Sequence, residues 1–600
     1  MFQTLKRLFL AFMTLVAVIT MVSSLVASWQ QPQIQSRLEL YQINLLLQAS
    51  QWQPASSDLG LDISQNWQQF RGIILGEEPL KIAQEQYRNA RRADQKILED
   101  LTKELSQLET NKTGKSATSA ITATNGTVSP QSAKIITQLE EVIPQLDLAL
   151  GILDMELGNK QTARETWQKL LDSPINSPVN SQTNSQPKVI KTTQETAKIL
   201  LNLWSDRPQL EIKIEPKSTS KLIPKPQDWE GVIKTSLNSW FRDRALQQLY
   251  TLENSPAKLQ TLQQQENSQA KNAVWRLLTL TIVPSISGLL GLGILIFVGG
   301  QAIIKGLRNL LFSGGNISGA DISGDDLSNS LSESISGMNS GNNSGMNSES
   351  KQTINQVLVV PWDGETIWEV LVGGFFFVGQ LLIPYIFSNL PLGSLNLDVR
   401  GKAIAVLASY ICMSIGTLAV LYFALRRFLP LPPGWFPLKW RGNWILWGGG
   451  GYLAAIPLVI GISLINQVIW QGKGGSNPIL PLALQGNDLW SFLIFAATAS
   501  IAAPIFEEII FRGFLLPSLT RYLPVWGAIA ASSLLFAIAH LSLSEVLPLT
   551  VLGIVLGTVY WQCPAGSSAP KGNLLASMLL HSLWNGGTLI SLYILSSGSN

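Results

Sequence analysis

IAAPIFEEIIFRGFLL, residues 501–516, is an apolar run broken by two adjacent carboxylates, Glu507 and Glu508, and one guanidinium, Arg512. Its length and hydropathy suit a helix inside a bilayer, where ionisable groups are expensive and by default mark function. Working outward, SLLFAIAHLS (533–542) brings Phe536 and His540, and LASMLLHSLWNGG (575–587) brings His581 and Asn585. The chain has two histidines in all, and both fall in these apolar segments.

The surrounding sequence has the same character. Across 600 residues, 46% are hydrophobic and 14% charged, against about a quarter charged in an average soluble chain. A bilayer core of roughly 30 Å needs about 20 apolar residues per helical span. Nine stretches qualify: 8–27, 275–298, 366–390, 402–424, 443–467, 489–511, 525–543, 546–561 and 573–595. The fold expected is all-α, a polytopic membrane helix bundle with seven of the nine spans in its catalytic core. The first span is read as an uncleaved anchor, because its apolar run exceeds a signal-peptide core and no A-x-A site follows.

Lysine and arginine beside the spans set the orientation. Lys6 and Arg7 place the N-terminus in the cytoplasm, and alternation then puts Lys305, Arg308, Arg426, Arg427, Lys439, Arg441, Arg512, Arg521 and Lys571 on the same side. The opposite face has Arg400, Lys402 and Lys473 near spans, and the C-terminus is expected there. A net charge of +3 argues against nucleic acid as a partner. Two cysteines, Cys412 and Cys563, cannot build a disulfide framework and read as small hydrophobes.

Five segments follow: a membrane anchor (1–29), an exported helical region with linkers (30–273), the second span (274–299), a cytoplasmic Ser/Gly/Asn-rich linker (300–364) and an intramembrane domain (365–600). Within the exported region, Tyr87, Ala90, Ile97, Leu101, Leu105 and Leu108 recur on one helical face. Two helices over 145–157 and 160–171, joined at Gly158-Asn159, resemble one tetratricopeptide-type hairpin, a possible recruiter of a protein partner. Residues 111–133 and 173–187 read as linkers, and 313–355 is too poor in bulky apolar residues to fold. Ile317, Ile322 and Leu327 hint there at a five-residue period.

Helical spacing gives the chemistry its geometry. Glu508 and Arg512 stand at i, i+4 and can pair; His581 and Asn585, also at i, i+4, can both face one cavity; Phe536 lies one turn before His540. Glu507 projects about 100° round from Glu508. Two carboxylates in different surroundings can divide acid and base roles. Glu507 beside a water would act as general base, with His540, His581 and Asn585 positioning that water or stabilising an oxyanion. Measured from the inner boundary, His540 lies roughly 24 Å along its helix and His581 roughly 12 Å, so the glutamate helix must tilt or run on through 512–520 to bring them level.

The motifs EExxxR, FxxxH and HxxxN, in this order on successive hydrophobic segments, resemble the signature of the CPBP or Abi family, the CAAX-type proteases and bacteriocin-processing membrane proteins. The likeness covers about 365–595. It implies hydrolysis of a peptide bond in a membrane-associated polypeptide, with Glu507 activating water and Glu508 oriented by Arg512. His540, His581 and Asn585 would support the transition state. Metal dependence stays open: Glu507, His540 and His581 could hold a single zinc, while Asn585 and the Glu508–Arg512 pair suit a site with no cofactor. A non-proteolytic scaffold or self-immunity factor, or a proton-relaying transporter, is the alternative reading.

Overall fold

The computed structural model describes residues 2–29, 31, 33–53, 71–72, 75–113, 130–173, 186–205, 226–312, 359–390, 397–476, 488–564 and 572–597. The described residues are mostly helical, without a strand. Helix α1 (Phe2–Trp29) enters the bundle directly: Met13 and Ala17 are buried in its main core.

Next come α2 (Ile34–Ala49), α3 (Pro79–Thr113), α4 (Pro130–Glu156), α5 (Lys160–Asp172), α6 (Gln186–Leu203), α7 (Pro226–Ser236) and α8 (Ser239–Leu252). They form a helical region with its own core, in which Leu47, Ala83, Leu153, Trp167, Leu200 and Trp240 are buried. The expected hairpin is α4 and α5, turning at Gly158 with φ +83°. Gly151 is required there: a Cβ on it would sit 2.1 Å from Trp167 Nε1, which donates to Leu148 O at 3.3 Å. On α3, Tyr87, Ile97 and Leu101 are buried as expected, while the Leu105 and Leu108 side chains lie outside the described residues. Most of both linkers and all of 313–355, with its five-residue period, also lie outside them. Residues 131–133, read as linker, belong to α4.

Helix α9 (Pro256–Phe312) leads from this region into the bundle. It meets α12 (Trp444–Trp470) so closely that a Cβ at Gly291 would lie 1.9 Å from Leu453 O, the small-residue contact typical of helix pairs in lipid. The remaining bundle helices are α10 (Gly364–Asn389), α11 (Val399–Leu425), α13 (Leu489–Leu519), α14 (Val525–Ile538), α15 (Leu543–Gln562) and α16 (Leu574–Ser596). Eight described helices are long and apolar enough to cross a membrane; α14 is the exception. Its 14 residues span about 21 Å at 1.5 Å each, short of the bilayer core. The sequence reading of a span over 525–543 is corrected accordingly: the chain turns at Ala539–Ser542, with Leu541 at φ +56°. Cys563 is buried and Cys412 exposed.

The two ends of the bundle differ. At one end Lys6 pairs with Glu369 (2.8 Å), Arg7 with Glu365 (3.1 Å), and Arg427 donates to Thr366 Oγ1 (2.8 Å). The other end carries the helical region. There Trp29 packs edge-on against Trp470, and the N–H groups of Gly474 and Gly475 both donate to Gln31 O. Gln33 N donates to Gly472 O, and Leu543 N to Ser28 Oγ. Asp488 caps α13 at this end, accepting from Ser491 N (3.0 Å) and from Arg400 (2.6 Å). The Arg400 guanidinium holds its carboxyl well below the usual range.

Candidate active site

Helix α13 runs eight residues beyond the span read from sequence, to Leu519, which levels the glutamates with the histidines. Two π-helical segments, Thr498–Ala502 and Ile509–Leu515, flank the turn Ala503–Glu508 that carries both carboxylates. Each accommodates extra residues within the helix and re-aims side chains; such segments are frequent at functional sites.

The six residues expected at the site come together in two layers. Glu508 and Arg512, both 0% exposed, pair at 2.9 Å, and Arg512 Nη2 donates to Gly553 O at 3.2 Å. The guanidinium also lies 4.5 Å from the Phe536 ring centroid, a cation–π contact. His581 Nδ1 lies 3.0 Å from Glu508 Oε1, so its proton bridges to that carboxylate. These three form a buried backing. In front of them lies a cavity of about 380 Å³ bordered by Glu507, His540 and Asn585, together with Phe536. Phe536 separates the layers, its ring 5.0 Å from His540 and 5.6 Å from His581, edge-on to both.

Glu507 faces this cavity. Its Oε1 accepts a hydrogen bond from Tyr410 Oη at 2.9 Å, while Oε2 is buried, has no hydrogen-bond partner in the protein and lies 3.8 Å from His581 Nε2. That last separation is too long for a direct hydrogen bond. His540 donates from Nδ1 to Phe536 O (2.9 Å), which leaves Nε2 as its second ring nitrogen at the cavity wall. Asn585 gives one amide hydrogen to Ala499 O (2.8 Å), a carbonyl of the first π segment, and keeps another.

Tyr410 on α11, Gln380 on α10 and Glu545 on α15 also border the cavity and were not singled out from sequence. Gln380 Nε2 donates to Ala539 O at 3.5 Å, bracing the turn before His540. Their one available signal was a polar group inside an apolar run.

As for a metal, among the described residues no three His, Cys, Asp or Glu side chains converge on a common point. His581 Nδ1 is bonded to Glu508 and His540 Nδ1 to Phe536 O, which leaves Nε2 of each ring, on the Glu507 side, as the nitrogen that could meet a metal. No curated protein and no solved structure matches the chain. Residues 489–587, which hold all six motif residues, match the family model described as type II CAAX prenyl endopeptidase Rce1-like, and the segment thereby supports an intramembrane protease function.

Proposed function

We propose that the protein is an intramembrane endopeptidase in which Glu507 activates the water that cleaves a peptide bond. The observation that carries this reading is the unequal pair of neighbouring carboxylates. Both Oε2 atoms lack a hydrogen-bond partner in the protein, but Glu508 is wholly buried against Arg512 and His581, whereas Glu507 borders the cavity. Tyr410 occupies Oε1 and so selects Oε2 as the atom that takes the proton. A water between Oε2 and the scissile carbonyl would lose its proton to Glu507 as its oxygen adds to the carbon. The oxyanion then needs donors at the cavity wall. Asn585 has a free amide hydrogen, and His540 supplies one at Nε2 when protonated. Glu507 returns its proton to the departing amine, and the peptide bond breaks.

The basic end, with Lys6, Arg7 and Arg427, would be cytoplasmic, placing the helical region on the opposite face. Cleavage of membrane-anchored reporter polypeptides by purified protein in detergent tests the mechanism. Glu507→Gln is expected to lower the rate ~10²- to 10⁴-fold, the scale of a lost general base, with thermal stability unchanged. Equal rates for wild type and variant on a reporter that wild type cleaves would overturn it.

A further inference from the structure

The cavity is not centred in the bundle. On α15 it is bordered by Glu545 and Leu549, both within two turns of the end that carries the helical region. On α16 it begins at Trp584, near mid-helix, and continues through Thr588 and Leu589 towards that same end. His540 borders it from the turn that closes this end of α14. On α13 its lining runs from Thr498, ten residues from the Asp488 cap, to Phe511.

The helical region is built into this rim. Leu38 and Tyr41 of α2 pack against the cluster of Ala403, Phe495, Leu589 and Leu592, and Leu589 is itself cavity lining. Ser28, Gln31 and Gln33, just before α2, are hydrogen-bonded to Leu543 and to residues 472–475. That loop in turn holds Ser544, whose Oγ donates to Gly475 O at 2.6 Å, immediately before the cavity residue Glu545.

We propose that the cavity admits its polypeptide from the membrane face carrying residues 34–273, with α2 forming one side of the entrance. Resting on the protease reading, this makes the substrate a membrane-anchored polypeptide whose cleaved segment lies on that face.

Thiol labelling in sealed vesicles of both orientations tests this without turnover. The background is Cys412→Ser, whose remaining thiol, Cys563, is buried and sets the blank. Gln168→Cys, exposed on α5, marks one face, and Arg441→Cys, exposed at the basic end, marks the other. Thr588→Cys reports the cavity. A membrane-impermeant maleimide is expected to label Thr588→Cys from the face that labels Gln168→Cys, at least tenfold faster than from the other. Labelling from the Arg441→Cys face, or from neither, overturns the proposal and leaves the protease reading standing. Full activity of Glu507→Gln would do the reverse.

Discussion

The helical region and the bundle are built inside out relative to each other. In α2–α8 the interior is apolar, with Trp167 and Leu47 wholly buried, and ion pairs such as Lys234–Glu230 lie at the surface. In the bundle the outward side chains are Val468 and Leu464 of α12, 75% and 61% exposed, while Glu508 and Arg512 are fully buried. Burial of apolar surface against water stabilises the first, whereas lipid offers the second no such drive. The bundle is therefore held by close small-residue packing, as at Gly291, and by internal polar contacts. Its buried polar contacts, Glu508 with Arg512 and His581, lie at the candidate active site, so on the proposed reading the groups that support the chemistry also hold the helices together.

That dual use is tested by separating the two carboxylates. The largest expected effect is on rate: Glu507→Gln lowers cleavage ~10²- to 10⁴-fold without unfolding the bundle. Next is Arg512→Ala, which leaves the Glu508 carboxylate buried against His581 without its cation. Breaking one side of a buried pair costs about 3–5 kcal/mol. The variant should lose both activity and thermal stability, while the core of the helical region persists. A fully stable Arg512→Ala would show that the buried layer serves catalysis alone.

Tyr410→Phe sharpens the point with a smaller change. It keeps the ring that packs on Phe506 and deletes only the donor to Glu507 Oε1. A hydrogen bond to a charged group contributes about 1.5–3 kcal/mol, so a fall of roughly ten- to a hundredfold in kcat is expected, with KM and Tm held. A change in KM alone would place the hydroxyl with substrate binding instead.

How much of this could be read from sequence follows from the same contrast. The motif residues were legible because charge inside an apolar run is conspicuous and helical spacing predicts pairing, as Glu508–Arg512 confirms. The hairpin was legible from two helical stretches meeting at Gly158-Asn159. Other features were not. The π segments of α13 add residues per turn without a compositional mark. Helix α14 ends at a left-handed Leu541, with no glycine or proline to announce it. Tyr410 and Gln380 come from helices over 90 residues away in sequence from the glutamates or beside neither motif, and only tertiary packing brings them to the cavity.

The smallest effect belongs to the water-facing region and should leave the bundle untouched. Burial on α3 pushes the Asp94 carboxyl up to about 6, partly offset by Arg37. A carboxyl whose folded value lies above its unfolded value of roughly 4 favours the folded state fully at low pH, and that contribution is lost as pH rises through about 6. Asp94→Asn supplies the neutral form at every pH. It should therefore stabilise the helical region by on the order of 2 kcal/mol at pH 7 to 8, with the gain vanishing near pH 4. Thermal unfolding of wild type and variant across this range is the measurement, with reporter cleavage followed in parallel. A constant difference at all pH values would mean that Asp94 does not titrate between these limits. A pH-dependent difference accompanied by a change in cleavage would show that the helical region and the catalytic bundle do not respond separately to charge.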